Sequence, residues 1–401
     1  MKTAGKISLA VGCVLLAIIL LHYSILSLRS FSDFGPYYRS GQRFLLGENL
    51  YNFSDGHYLF KYSPCAALFF APVSLLPYSI ASALWLCLSW ILFALSYLLT
   101  KKLEMGRISL PLWGTILIFL GISKFALAEI HLGQVDFLLL CLVLLSILSL
   151  GKSREGLGGV FLAAAVLFKP PLLLILALPL WRRRSKFLLG FSLGLSAGLL
   201  APFLRYGLNG AWELYRGWWT VITVSSPDLL ASEVNQSAFG ALSRWLVMNP
   251  KGDSLFAFSP GIPLIIGGIL FVIFILYLWH QERKIPANSA SLSGDGLPTS
   301  PAPALIILGS VVFSPLGWVQ NFVFALPALY RATTGIVRER LFNLWRNVFL
   351  ALFFLLAVLP NFEFLGRELY DLYLGQSWMF LGILFLALAT ALPLRCRDGS
   401  H

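Results

Sequence analysis

The sequence predicts an all-α polytopic membrane protein, a bundle of about 10–12 crossing helices. Three observations predict it. The 401 residues are 58% hydrophobic, only 12% are charged, and the mean hydropathy is +0.80. A water-facing surface needs about twice that share of charge, whereas a lipid-facing surface does not. Uncharged runs such as Ile7 to Leu28 and Ile262 to Trp279 reach the roughly 20 residues that a hydrocarbon core demands. Backbone in lipid must satisfy its own hydrogen bonds, so these runs are expected to be helices.

In order, spans are expected at 7–28, 80–100, 110–126, 134–150, 186–203, 259–279, 345–360 and 373–394. Two further apolar runs are broken in the middle. Residues 158–181 are interrupted by Lys169-Pro170-Pro171, and 304–331 by Ser314-Pro315-Leu316-Gly317. Proline removes a helical donor and clashes with the preceding turn, so each run reads as a pair of short helices. The chain opens Met1-Lys2 with Lys6, and no small-residue cleavage site follows. That pattern is expected to be an uncleaved signal anchor.

The net charge of +12 reads positionally rather than as a nucleic-acid signal, because Lys and Arg collect on cytoplasmic loops. With both termini cytoplasmic, most of the basic residues fall inside, among them Lys101, Lys102, Lys152, Arg154, Arg182, Arg183, Arg184, Arg283 and Arg338. A bacterial inner (plasma) membrane is expected. The whole chain, 1–401, forms one transmembrane domain. Residues 29–79 and 204–258 are two outer loops rich in Tyr and Trp, which suits interfacial helices. Residues 285–303 are rich in Ser, Pro and Gly and are expected to be a flexible cytoplasmic linker. The five scattered cysteines contain no CxxC, so neither a disulfide framework nor a zinc site is suggested.

Asp33 follows the first span. A carboxylate at the bilayer edge beside Tyr37 and Tyr38 can serve as a general base, or can be a solvated loop acid or helix cap. Lys169 lies within an apolar pair of helices, where an ionisable residue is a functional candidate. Its ammonium can meet a phosphate, or snorkel to the interface. Gln134 and Asp136 open a span and can hold sugar hydroxyls; Asp136 can equally cap its helix. Asn235-Gln236-Ser237, with Arg244 beyond, lies in the second outer loop and matches a glycosylation sequon, as does Asn52-Phe53-Ser54. Gln320 and Asn321 are amides at membrane depth that need partners or form a site. No Asp-x-Asp pair or phosphate-binding Gly-rich loop occurs, which argues against a nucleotide-sugar enzyme. Chemistry on the outer side has no access to cytosolic nucleotide sugars, so a lipid-borne donor is expected. No metal and no cofactor are expected.

Several blocks then line up. Asp33-Phe34-Gly35-Pro36-Tyr37-Tyr38, Gly47-Glu48-Asn49-Leu50-Tyr51 and Tyr62-Ser63-Pro64-Cys65-Ala66-Ala67-Leu68 come first. Gly133-Gln134-Val135-Asp136, Lys169-Pro170-Pro171, Asn235-Gln236-Ser237 and Ser314-Pro315 with Trp318 follow. In this order they resemble glycosyltransferase family 87, polyprenol-phosphate-mannose-dependent mannosyltransferases of the GT-C class. The resemblance implies an inverting enzyme with an essential acid after the first span, here Asp33. It implies transfer of a hexose, mannose by analogy, from a polyprenyl-phosphate sugar to a glycolipid, glycan or protein at the outer face. Lys169 and Arg244 are then phosphate-binding candidates. Tyr37, Tyr38, Tyr62, Gln134, Asp136, Asn235, Gln236, Gln320 and Asn321 are candidate substrate lining. Three positions depart from the family pattern: Gln320 and Asn321 stand where histidines are usual, and Asp136 stands where an Asn is usual. Amides supply neither a proton nor a positive charge. The rival reading is a transporter or flippase for a lipid-linked or anionic substrate, which the two broken helices would suit. The gathering of polar candidates on one side, and the lack of an internal repeat, favour the enzyme.

Overall fold

The computed structural model describes residues 21–29, 31–104, 110–225, 229–250, 258–259, 261–284, 300–339 and 343–394. Every regular element among these is helical. Residues 21–29 form α1, followed by α2 (Phe34–Leu46), α3 (Pro64–Ser74), α4 (Tyr78–Glu104), α5 (Leu112–Leu132), α6 (Asp136–Ser149) and α7 (Glu155–Phe168). The second half comprises α8 (Ala177–Trp181), α9 (Ser185–Ser225), α10 (Ala238–Leu246), α11 (Ile262–Arg283), α12 (Ala302–Val312), α13 (Leu326–Glu339), α14 (Leu344–Phe353), α15 (Phe362–Gly375) and α16 (Trp378–Ala391).

Among the described residues, four helices are long and apolar enough to cross a membrane alone: α4, α5, α9 and α11. The pair Leu344–Val358 and Phe362–Gly375 is apolar enough together but bent by 87°. Shorter apolar helices, α6, α7, α12 and α16 among them, pack between these. A 14-residue helix such as α6 is only ~21 Å long, so the span expected over 134–150 falls short of a full crossing by itself. Most of the first span, 7–20, and most of the linker, 285–299, lie outside the described residues.

Both predicted breaks are present. After α7 the chain enters a short 3₁₀ helix, Pro170–Leu176, and after α12 a second, Val319–Ala325. A third break, at Gly207 (φ 66°) inside α9, kinks the helix so that the chain after it forms a second helical stretch. A fourth lies at Pro360, between α14 and α15. There Lys124 of α5, 9% exposed, donates to the carbonyls of Ala357 (3.1 Å) and Pro360 (2.7 Å). These carbonyls lack helical donors, and a buried ammonium supplies them.

Close packing needs small residues where helices touch. Gly159 of α7 and Gly190 of α9 each approach the other helix so closely that a Cβ would overlap its backbone, the small-residue contact favoured between membrane helices. The connectivity sorts polar groups to two ends. Glu155, Lys152 and Arg154 lie where α6 joins α7, and ion pairs gather at that end, including Arg184–Glu155 at 3.3 Å and Arg182–Glu282 at 2.8 Å. The C-terminus of α5, the N-terminus of α6 and the C-terminus of α7 meet at the opposite end, and the site lies there.

Candidate active site

The site is built on the turn between α5 and α6. Gly133 terminates α5 in the left-handed conformation (φ 71°), a backbone state that glycine adopts without steric cost. Its carbonyl accepts Trp85 Nε1 at 2.9 Å. Asp33 is tied to the same helix end, since its backbone N–H donates to Leu132 O at 3.0 Å. Phe34, fully buried, stacks on Trp85 at 5.6 Å between ring centroids and holds α2 against α4.

Gln134 links the acid to two tyrosines. Its Nε2 donates to Asp33 Oδ2, and its Oε1 accepts from Tyr37 Oη (2.6 Å) and Tyr62 Oη (3.3 Å). The phenol oxygens are 3.1 Å apart. Two phenol donors demand the amide oxygen, so the amide nitrogen faces the carboxylate. Both phenols are held protonated well above the usual range, chiefly by burial, with the charges of Tyr62 and nearby carboxylates adding for Tyr37, and Asp136 adding for Tyr62 against the opposing hydrogen bond from Tyr37. Lys61, next in sequence to Tyr62, is lowered by burial, while the charge of Asp33 acts in the opposite direction.

Two residues further on, Asp136 is wholly buried. Its Oδ1 accepts from Lys169 Nζ and its Oδ2 from Asn321 Nδ2 at 2.6 Å. Lys169 retains 24% side-chain exposure while Asp136 has none. An ammonium has three donors, so Lys169 can hold Asp136 and a further anion together. Ser63 Oγ donates to Leu167 O, which pins the Tyr62 segment beside Lys169. Asp136 does not cap its own helix: Glu129 does, accepting the N–H groups of Asp136 (2.5 Å) and Phe137 (3.3 Å). Glu129 is 1% exposed and is absent from the sequence-derived candidates. The signal was an acid inside an apolar span, itself a mark of function or structure.

The remaining candidates lie elsewhere. Tyr38 turns to Leu76 O (2.7 Å) and packs edge-on against Tyr78. Gln320 is half-buried on the turn that carries Asn321. Arg244 is wholly buried and donates to Ser377 Oγ (2.8 and 3.0 Å) and to Ser232 O. Burial lowers its pKa to about 10. Its guanidinium joins the segment before α10 to the start of α16. Asn235 and Gln236 are likewise wholly buried and bonded to backbone, so the sequon at Asn235 offers no free amide in the folded chain. Among the described residues no group of three or more His, Cys, Asp or Glu could hold a metal ion.

A groove of about 350 Å³ begins at Pro170 and Pro171, the residues that follow Lys169 in the chain. Leu173, Phe271, Gly309, Ser310 and Phe313 also contribute to its lining, so its walls are mostly apolar.

The profile of glycosyltransferase family 87 matches residues 60–297. The chain belongs to this family. The matched stretch carries Tyr62, Gln134, Asp136 and Lys169, whereas Asp33 and Asn321 lie outside it. Among curated proteins, an α-(1→3)-arabinofuranosyltransferase of Corynebacterium glutamicum is 24% identical over 202 residues, 49% of this chain and 46% of the relative. The chain thus spans about half the length of that relative. No solved structure matches. Family membership and the apolar helices together make this a membrane-embedded member of glycosyltransferase family 87.

Proposed function

We propose that this family 87 enzyme transfers a sugar from a polyprenyl-phosphate donor to a hydroxyl of a glycolipid, glycan or protein at the outer face of a bacterial plasma membrane. One observation carries the reading. Gln134 and Asp136, two residues apart, tie a carboxylate (Asp33) and a lysine (Lys169) into one cluster. Asp33 is the general base. It takes the acceptor proton as the acceptor oxygen attacks the anomeric carbon. The bond from that carbon to the phosphate oxygen breaks, its electron pair leaves with the lipid phosphate, and the anomeric centre inverts. Negative charge grows on the phosphate, where Lys169 stabilises it. The amide of Asn321 adds a weaker hydrogen bond than a histidine cation would.

The mostly apolar groove that starts at Pro170 and Pro171, next to Lys169 in the chain, supports a lipid-borne donor, because an isoprenoid chain needs an apolar surface to lie against. The position of the cluster, at the helix ends away from Lys152, Arg154 and Arg184, supports an outer active site by the positive-inside rule. The donor sugar is mannose by the resemblance. The name of the Corynebacterium relative favours arabinofuranose as the second reading.

The test is transfer by purified protein from radiolabelled polyprenyl-phosphate mannose and polyprenyl-phosphate arabinose to membrane glycolipids, with Asp33→Asn in parallel. Transfer from neither donor would overturn the lipid-donor reading, and transfer by the asparagine variant at the parental rate would remove Asp33 as the base.

A further inference from the structure

The turn Ser314 to Trp318 carries backbone polar groups between apolar helices, where each needs a partner. Its partners come from some 80 positions earlier. Asn235 Nδ2 donates to Pro315 O (3.0 Å) and to Leu230 O (3.0 Å), and its Oδ1 accepts from Gly317 N (2.9 Å) and Ser237 N (3.2 Å). The next backbone N–H, that of Gln236, donates to Gly317 O at 2.7 Å. One side chain thus makes two donations and two acceptances, a combination open to an amide and to no carboxylate or aliphatic group. The approach is tight: a Cβ on Gly317 would press on Ser237 at 3.2 Å, and one on Gly240 on the Asn235 amide at 2.7 Å.

What this turn controls is Asn321. Trp318 N donates to Asn321 Oδ1 (2.9 Å), which fixes the amide so that its Nδ2 donates to Asp136 (2.6 Å), the partner of Lys169. Gln236 carries the brace further, donating to Leu374 O (2.9 Å) at the end of α15 and accepting from Phe380 N (3.2 Å) on α16.

We propose that Asn235 is a positioning residue: through the Pro315–Gly317 turn it sets Asn321 against Asp136, and so aims Lys169 at the donor phosphate. This rests on the lipid-phosphate reading above. Asn235 touches neither Lys169 nor Asp33. It acts by holding the backbone that orders their neighbours.

The experiment has two readouts. In full-length protein, the kcat for sugar transfer from a radiolabelled polyprenyl-phosphate sugar is compared for Asn235→Ala, Asn321→Ala and the double variant. Asn235→Ala should lose about tenfold in kcat, and the double variant should lose no more than Asn321→Ala alone, because both changes break the same link. Losses that multiply would make Asn235 a general support of the fold and overturn the proposal. The second readout needs no transfer. With the five native cysteines replaced by serine, Gln320→Cys is labelled with a water-soluble maleimide. Adding Asn235→Ala should raise the labelling rate about tenfold by freeing the turn, and an unchanged rate would also overturn it. Labelling that responds in a protein with no transfer from any lipid donor would mean that the functional reading had failed while the turn was held as described.

Discussion

Glu129 caps the helix that carries Asp136: one buried carboxylate accepts the backbone N–H of the residue bearing the other, at 2.5 Å. Two acids at such separation repel unless cations and donors are shared out between them. The cap occupies one oxygen of Glu129, while Lys169 and Asn321 occupy both oxygens of Asp136.

Removing the cap should therefore move Asp136. Glu129→Ala is expected to lower stability by about 1–2 kcal/mol and to reduce transfer. Glu129→Gln keeps an acceptor oxygen and should retain most of the stability. Thermal unfolding in detergent, with the transfer assay, separates the two variants.

Lys169 and Asp136 form a pair in which one partner has no exposure. Lys169→Met leaves a buried carboxylate unpaired and should destabilise by up to about 3 kcal/mol, the lower end for broken buried pairs because Lys169 is partly exposed. The double change Lys169→Met with Asp136→Leu should recover most of that stability while transfer stays lost. Stability without activity in the double variant would separate the charge's role in catalysis from its role in folding.

Tyr37 and Tyr62 both donate to the Gln134 oxygen. Tyr37→Phe should cost about 1 kcal/mol, and transfer should fall several-fold because the Gln134 amide is less firmly turned toward Asp33. Adding Tyr62→Phe should release the amide and cost more than the two single losses predict. A double-mutant cycle on transfer rate measures this.

Arg43 binds Asp55 through two hydrogen bonds, 2.6 and 2.9 Å, and holds its carboxyl below the usual carboxylate value of 3.8. A pKa lowered in the folded chain adds stability that is fully present above the unfolded value and lost as pH falls through the folded one. The segment around Asp55 should therefore loosen below about pH 4. Asp55→Asn should remove that acid-side step. Hydrogen exchange over residues 52–58 as a function of pH reads it.

Composition and apolar run length by themselves determined the class of this protein. An uncharged run of about 20 residues has one stable state in lipid, so the spans over α4, α5 and α11 were legible. The breaks at Lys169-Pro170-Pro171 and Ser314–Gly317 were legible too, because proline acts locally. Residue type alone marked Asp33, Gln134, Asp136 and Lys169 as candidates. Tertiary structure decided which candidates meet. Asn321 and Lys169 converge on Asp136 although 185 and 33 residues separate them from it, and no local pattern encodes such pairings. It also decided Arg244's partners, since a buried guanidinium takes whatever acceptors the fold brings, here Ser377 and Ser232. Glu129 shows the same limit from the other direction. An acid in an apolar span announces that it has a partner, but only the turn at Gly133 between α5 and α6 reveals that the partner is the start of the next helix.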